Sequence, residues 1–131
     1  MQDVKEFLRA CDIFFIATDE GSQPRVRPFG ALAEFEQKLY ICTNNTKPCF
    51  AQMLANPKVE ICAMGPDHQW LRLTAVVTRD TRREAKAAML EQCPGLRRMY
   101  SEDDGKFEVL SLSDCVASFC TMTGEPRIVR F

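Results

Sequence analysis

The spacing of apolar residues along the chain predicts many strands and few helices. A short first helix follows from the i, i+3, i+4, i+7 spacing of one apolar stripe, formed by Val4, Phe7, Leu8 and Cys11. A period of two, typical of a half-buried strand, marks the segment from Gln69 to Asp80. Its inward positions are Leu71, Leu73, Ala75 and Val77.

Apolar runs separated by turn residues predict the remaining strands. These runs are DIFFIATDEG (12–21), QPRVRPFGALAEF (23–35), KLYICT (38–43), VEICAMG (59–65), FEVLSLSD (107–114) and CVASFCTM (115–122). Pro28 cannot donate a hydrogen bond to a ladder, so its strand is expected at a sheet edge or at a bulge. Strands that follow one another this directly favour a mainly β fold, an antiparallel barrel with peripheral helices, over a doubly wound sheet.

Two further helices complete the prediction. Residues 47–56 have Phe50, Met53 and Leu54 on one face, and Pro57 ends the helix. The second helix is predicted over residues 82–92, and a T-x-x-E capping box formed by Thr81 and Glu84 opens it. The segment 93–106 is expected to be a loop that contains at most one helical turn.

Composition narrows the class of protein. The 131 residues suit a single domain over 1–131, and 17 basic against 18 acidic side chains argue against a nucleic-acid partner. The 7 cysteines contain no C-x-x-C pair and His68 is the single histidine, so no zinc site is indicated. Cysteines inside apolar runs favour a reducing cytoplasm. No signal peptide is expected, and the apolar runs are too short to span a membrane.

The segment TNNTKP (43–48) has two interpretations. It is a strand-to-helix connection in which Thr46 or Asn45 caps the helix and Pro48 lies in its first turn. Lys47 then places a cation at the positive end of a helix, which is unfavourable unless an anion binds there. Either Lys47 extends into water, or this turn is half of an anion site.

The segment PRVRPF (24–29) also has two interpretations. Arg25, Arg27 and Phe29 share one face of a regular strand. Two forked guanidinium groups beside an aromatic ring suit a phosphate, whereas the alternative is a solvated face with extended arginines. Trp70 fits a core, an interface or a stacking surface. No nucleophile–base set and no carboxylate pair stands out, so no catalytic residue is assigned.

Taken in order, these motifs resemble the pyridoxamine 5′-phosphate oxidase-like family of FMN-binding split barrels, as a short bacterial member. The resemblance lies in GSQPRVRPFGAL (21–32), KLYICTNNTKPCFAQMLANPKVEIC (38–62) and QWLRLTAVVTRD (69–80), and covers roughly residues 5–80 best. It implies a six-stranded antiparallel split β-barrel and a homodimer with FMN at the interface. The cofactor-binding residues that it implies are Arg27, Pro28, Phe29, Gly30, Thr43, Asn44, Lys47 and Trp70. Arg25, on the same strand face as Arg27, is added to this set as a further candidate.

The resemblance also assigns parts of the flavin to these residues. It implies that Arg27 and Lys47 hold the phosphate and that Thr43 and Asn44 lie beside the ribityl-phosphate. The backbone of residues 28–30 would run along the ring, and Trp70 would approach it from the partner chain.

The chain differs from the vitamin B6 oxidases at two places. It has Lys47-Pro48-Cys49 where they have Ser-Arg-Lys, and it lacks their C-terminal arginine and histidine extension. The prediction is therefore an FMN-dependent oxidoreductase acting on a small molecule, with NAD(P)H as a candidate partner, and not vitamin B6 oxidation. The alternatives are a non-catalytic flavin- or haem-binding module, with His68 as the candidate haem ligand, and a cofactor-free dimeric interaction domain.

Overall fold

The computed structural model describes residues 1–131 and contains three α-helices, one 3₁₀ turn and eight strands. The helices are α1 (Gln2–Cys11), α2 (Pro48–Ala55) and α3 (Arg83–Gln92), and the 3₁₀ turn spans Pro94–Arg98. The strands are β1 (Phe14–Glu20), β2 (Gln23–Phe29), β3 (Ala33–Phe35), β4 (Lys38–Asn44), β5 (Lys58–Met64), β6 (Trp70–Asp80), β7 (Phe107–Cys120) and β8 (Arg127–Arg130).

All strand pairs are antiparallel, and the sheet runs in the order β2-β1-β5-β6-β7-β4-β3, with β8 paired to β7. This arrangement confirms the expected mainly β class with peripheral helices, although the sheet has eight strands instead of six. The strand β2 lies at one edge, which is where Pro28 was expected because an edge strand leaves one row of N–H groups unpaired.

The core fills one face of this sheet. All four inward positions predicted on β6 are buried, and α1 adds Val4 and Leu8 to the same apolar cluster. A second, smaller cluster lies under α3 around Met89, Leu90 and Phe107. None of the three helices is long and apolar enough to cross a membrane.

Two strand predictions need correction. The run 23–35 is interrupted after Phe29 and continues as the short strand β3. The runs 107–114 and 115–122 form one continuous strand, β7. Asp114 adopts φ 50 where the register against β6 shifts between Thr74 and Val76, so a β-bulge takes up the polar interruption without ending the strand. The strand β8 was not predicted.

Both predicted helix caps are wrong. The N-cap of α2 is Lys47, and no side chain caps this helix. Asn44 Oδ1 instead accepts hydrogen bonds from the backbone N–H and the hydroxyl of Thr46, which folds the turn one residue earlier. The N-cap of α3 is Arg82, whose backbone N–H donates to Asp80, so Thr81 does not form the predicted box. Pro48 does open α2 as expected.

The predicted apolar face of α2 is only partly correct. Phe50 and Met53 are buried, but Leu54 is exposed. The buried face instead includes Cys49 and the amide side chain of Gln52.

Candidate functional site

A cavity of about 490 Å³ opens where three segments meet. These segments are the end of β2 with its exit (27–31), the end of β4 with the start of α2 (42–49), and the 3₁₀ turn with its flanks (93–100). Eight of the fifteen lining residues are hydrophobic, and the volume lies within the range of small-molecule sites, about 300–1,000 Å³. An apolar concavity with a few polar groups can hold a planar organic ligand.

Arg27 gives one part of the cavity its positive charge. Its Nη1 donates to the carbonyl of Ile16 at 3.2 Å and to Thr18 Oγ1 at 2.8 Å, while Nη2 donates to Gln52 Oε1 at 2.6 Å. A guanidinium has five N–H groups, so these bonds leave the Nε–H and one Nη2–H. Those two groups share one edge of the plane and form the fork that binds a carboxylate or a phosphate.

Lys47 is the second cation of the cavity. Its side chain makes no ion pair or hydrogen bond within the chain, and its backbone immediately precedes Pro48, the first residue of α2. The helix N-terminus adds partial positive charge at the same place. Thr43 lies beside it with its hydroxyl 3.4 Å from Cys49 Sγ. This part of the cavity therefore suits an anion.

The turn that carries Lys47 is tethered to β7. Asn45 Nδ2 donates to the carbonyl of Gly105 at 2.8 Å and to Glu108 Oε2 at 3.0 Å. Glu108 is buried, and Arg79 donates to both of its oxygens at 2.9 and 3.0 Å. Burial raises the pKa of Glu108, but the bonds from Arg79 and Asn45 outweigh it and hold that pKa below its ordinary value. The carboxylate thus stays charged and fixes the turn.

The opposite wall of the cavity is apolar and is formed largely by the segment 93–100. Leu96, Met99 and Tyr100 line it, and the Tyr100 ring packs on the Phe107 ring with their centroids 5.0 Å apart. Asp104 accepts three backbone N–H bonds and holds the following loop in shape. This wall offers flat apolar surface to a ring.

Three thiols also line the cavity, from Cys42, Cys49 and Cys93. Burial, with a smaller contribution from the neighbouring Cys93, raises the pKa of Cys42 to about 12. A protonated thiol is a weak nucleophile, so Cys42 acts here as a small apolar group. No group of three or more histidine, cysteine or acidic side chains is placed to hold a metal ion.

Comparison with known proteins identifies the family. The family model described as pyridoxamine 5′-phosphate oxidase matches residues 1–113. The chain belongs to the pyridoxamine 5′-phosphate oxidase family. This confirms the resemblance seen in the motifs of β2, β4 and β6. The comparison with curated proteins finds no match.

Several solved structures are similar to this chain over nearly all of its length. A NimC/NimA family protein of Clostridium acetobutylicum is 51% identical, with a TM-score of 0.96 over 100% of this chain and 92% of that one. An FMN-binding, pyridoxamine 5′-phosphate oxidase-related protein of Nostoc punctiforme is 13% identical, with a TM-score of 0.64 over 99% and 95%. The haem storage protein HutZ of Vibrio cholerae is 15% identical, with a TM-score of 0.65 over 99% and 92%. The last two show the shared fold alone.

The structure brings together most of the residues that the oxidase-family motifs selected. Six of them line the one cavity: Arg27, Pro28, Phe29, Gly30, Thr43 and Lys47. Arg25 lies outside it, with Nε bonded to Glu20 Oε2 at 2.9 Å, and Asn44 shapes the turn without lining the cavity. Trp70 lines a separate cavity of about 260 Å³, and His68 lies in the turn between β5 and β6.

The sequence did not predict the apolar wall that residues 93–100 form in the cavity. The segment 93–100 was interpreted only as a loop, although its apolar residues Leu96, Met99 and Tyr100 are a usable signal, because apolar side chains in a loop need a surface to cover. Cys42 and Cys49 gave no signal, since both lie in runs that also predict core packing.

The residues of the cavity fit the FMN that the family implies. The paired donors of Arg27 and the unpaired Lys47 suit a phosphate, and the wall of Phe29, Leu96 and Tyr100 suits an isoalloxazine ring. The packing around Gly30 does not require a glycine, because a Cβ there would lie 3.5 Å from Ile13 Cδ1, which is an ordinary contact.

Proposed function

We propose that the chain is an FMN-dependent oxidoreductase that reduces or oxidises a small molecule other than vitamin B6. The observation that carries this proposal is the pair of cations, Arg27 and Lys47, beside an otherwise largely apolar cavity. Neither cation has a carboxylate partner in the chain, so their charge is available to a ligand. Bound FMN would supply the electron transfer, with NAD(P)H as the candidate donor.

The residues of the chain would then bind and orient the flavin. Arg27 and Lys47 hold its phosphate, and the hydroxyl of Thr43 lies beside them. Asn44 shapes the turn next to the ribityl chain, while residues 28–30 run along the ring. Arg25 acts from outside the cavity through Glu20, which Gln52 also contacts. The assignment requires no side-chain acid or base.

The outer face of the sheet supports a homodimer. Cross-strand neighbours form one solvent-facing row that contains Pro28, Phe15, Cys62, Arg72, Ser118 and Ile128. Phe15 and Ile128 are 48% and 46% exposed, and Val26 nearby is 67% exposed. Apolar side chains clustered on an open sheet face favour association. We propose that a second copy covers this face and that its Trp70 approaches the flavin of the first.

A reducing cytoplasm fits the thiols. The seven cysteines are all free, and none is paired in a disulfide. We therefore propose a cytoplasmic location for the protein.

An absorption spectrum tests the cofactor. The purified protein mixed with FMN should retain the flavin spectrum after desalting, and NAD(P)H should bleach it under anaerobic conditions. A haem spectrum would support the haem-binding alternative, and flavin that is bound without bleaching would support the non-catalytic module. A protein that retains no flavin and shows no rise in Tm with FMN would overturn the proposal.

Two substitutions test the phosphate site. Arg27→Ala and Lys47→Ala should each weaken FMN binding by about 10- to 150-fold, because a charge-assisted contact contributes about 1.5–3 kcal/mol. Riboflavin, which has no phosphate, is the matched ligand control and should bind both variants as it binds the wild type. Unchanged FMN affinity in both variants would refute the assignment.

A further inference from the structure

The helix α2 buries one amide among its apolar side chains. Gln52 is 8% exposed and lies on the same buried face as Cys49, Phe50 and Met53. A buried amide is costly unless its oxygen and nitrogen are hydrogen-bonded. Its hydrogen-bond partners therefore indicate what this side chain contributes.

Both ends of the Gln52 amide are engaged. Its Oε1 accepts from Thr18 Oγ1 at 2.6 Å and from Arg27 Nη2 at 2.6 Å, and its Nε2 donates to Glu20 Oε2 at 3.2 Å. Since arginine has only donors, the amide oxygen must face Arg27. Thr18 is itself buried, so the contact between the three side chains is shielded from water.

We infer that Gln52 is a positioning residue that sets the geometry and preserves the free charge of Arg27 for an oxyanion. This inference rests on the proposed flavin site. Gln52 and Thr18 together fix one edge of the guanidinium, which leaves its Nε–Nη2 edge for the ligand. The choice of amide matters because a carboxylate in this place would pair with Arg27 and oppose the charge of a phosphate.

The arrangement contrasts with the contact that Arg79 makes to a buried side chain. Arg79 meets the buried carboxylate of Glu108, and both of that carboxylate's oxygens are used. Arg27 meets only a carbonyl, a hydroxyl and an amide. Its orientation is therefore fixed by neutral partners, and its charge is not neutralised by them.

The experiment compares FMN and riboflavin binding in Gln52→Glu, Gln52→Met and Gln92→Glu. Gln92 on α3 is the control, because its Oε1 also accepts from an arginine, Arg9 Nη2 at 2.9 Å, and its amide bonds the backbone of Glu34, but it does not line the cavity. At about pH 8, Gln52→Glu should lower FMN affinity at least tenfold and leave riboflavin within about twofold of wild type. Gln52→Met, which keeps the volume but loses the bond, should give a smaller loss of the same kind. Gln92→Glu should leave the affinity for both FMN and riboflavin unchanged.

A pH series separates positioning from a packing role. A free glutamate has a pKa of about 4.3, and pairing with Arg27 would lower it further, so the carboxylate of Gln52→Glu stays charged between pH 8 and pH 5 and the lost preference for FMN over riboflavin should persist over this range. A merely structural role would weaken both flavins equally at every pH. If Gln52→Glu does not fold, Gln52→Met still gives the comparison of FMN with riboflavin, because a lost position of Arg27 weakens FMN more than riboflavin.

Failure of the inference and failure of the proposed function give different results. A wild-type protein that binds neither flavin contradicts the proposed function. A wild type that prefers FMN, with variants that keep this preference unchanged, overturns the role of Gln52 alone.

Discussion

Replacing Glu108 by glutamine should destabilise the fold and loosen the turn before α2. The glutamate side chain is 3% exposed and accepts two bonds from Arg79 and one from Asn45. Glutamine keeps the shape, but its NH₂ group replaces one acceptor and removes the charge from the others. Bonds to charged groups contribute about 1.5–3 kcal/mol each, and the 43% exposed Arg79 regains part of this from water. We expect a net loss of about 2–3 kcal/mol.

Thermal unfolding followed by circular dichroism measures this loss. For a chain of this length it corresponds to a Tm lower by roughly 6–12 °C. Glu36→Gln is the control, because Arg82 also donates two bonds to Glu36, from Nη1 at 2.9 Å and Nη2 at 3.0 Å, but both side chains are exposed. That variant should keep a Tm close to wild type. Equal losses in the two variants would refute the reasoning that burial gives the Glu108 contact its strength.

The same substitution has a pH signature. Because the pKa of Glu108 is lowered in the folded chain, its contribution is present above the ordinary value of 4.5 and is lost as the pH falls through the folded value. The stability difference between wild type and Glu108→Gln should therefore shrink below about pH 4.5. A difference that stays constant down to pH 3 would contradict the ionic origin.

Two further predictions concern a buried phenol and the open sheet face. The hydroxyl of Tyr40 donates to Asp80 at 2.8 Å, and burial raises the pKa of Tyr40 to about 12. The stability that the protonated phenol gives the fold is therefore fully present below pH 10 and is lost as the pH rises through 12. Tyr40→Phe should cost about 1 kcal/mol in denaturant unfolding at pH 7 and remove the late step from an alkaline absorbance titration; an unchanged titration would contradict this. Phe15→Lys should convert a dimer to a monomer in light scattering, whereas Leu54→Lys, an exposed apolar site on α2, should leave the mass unchanged. A dimer that survives Phe15→Lys would rule out this face as the interface.

Local patterns predicted the strands where burial alternates cleanly. The strand β6 was found because its inward positions are all apolar and its outward positions mostly polar. Pro28 located the edge strand for a physical reason, the missing N–H group, and not by propensity. The order and spacing of motifs then indicated the family more specifically than any single segment.

The errors arose where a side chain acts across the sheet instead of along the chain. Asp114 looks like the end of a strand, yet its left-handed backbone lets β7 bulge against β6 and continue. Thr81 and Glu84 match a cap locally, but Asp80 takes the N–H of Arg82 while also binding Tyr40 from β4. Such competition depends on the folded register, which a linear pattern does not contain.

The candidate site shows the same difference between what a linear pattern can and cannot predict. The two cations could be found from the sequence, since Lys47 is placed unfavourably at a helix start and Arg27 stands beside Pro28. The partner of Arg27 could not, because Gln52 is 25 residues away in a helix interpreted only as an apolar face. Polar residues on a predicted apolar face are therefore worth testing as second partners of charged groups nearby, since burial requires them to be bonded.

The position of two cations without carboxylate partners in one cavity is a physical reason to expect an anion there. Seven arginines of this chain have carboxylate partners, and they are Arg25, Arg72, Arg79, Arg82, Arg83, Arg97 and Arg127. With 18 acidic side chains against 17 basic ones, carboxylates are not scarce. Arg27 and Lys47 nevertheless face a shared cavity without one. Two cations that line one cavity repel each other, more strongly the shorter their separation, so an oxyanion bound between them would reduce that repulsion as well as gain its own contacts.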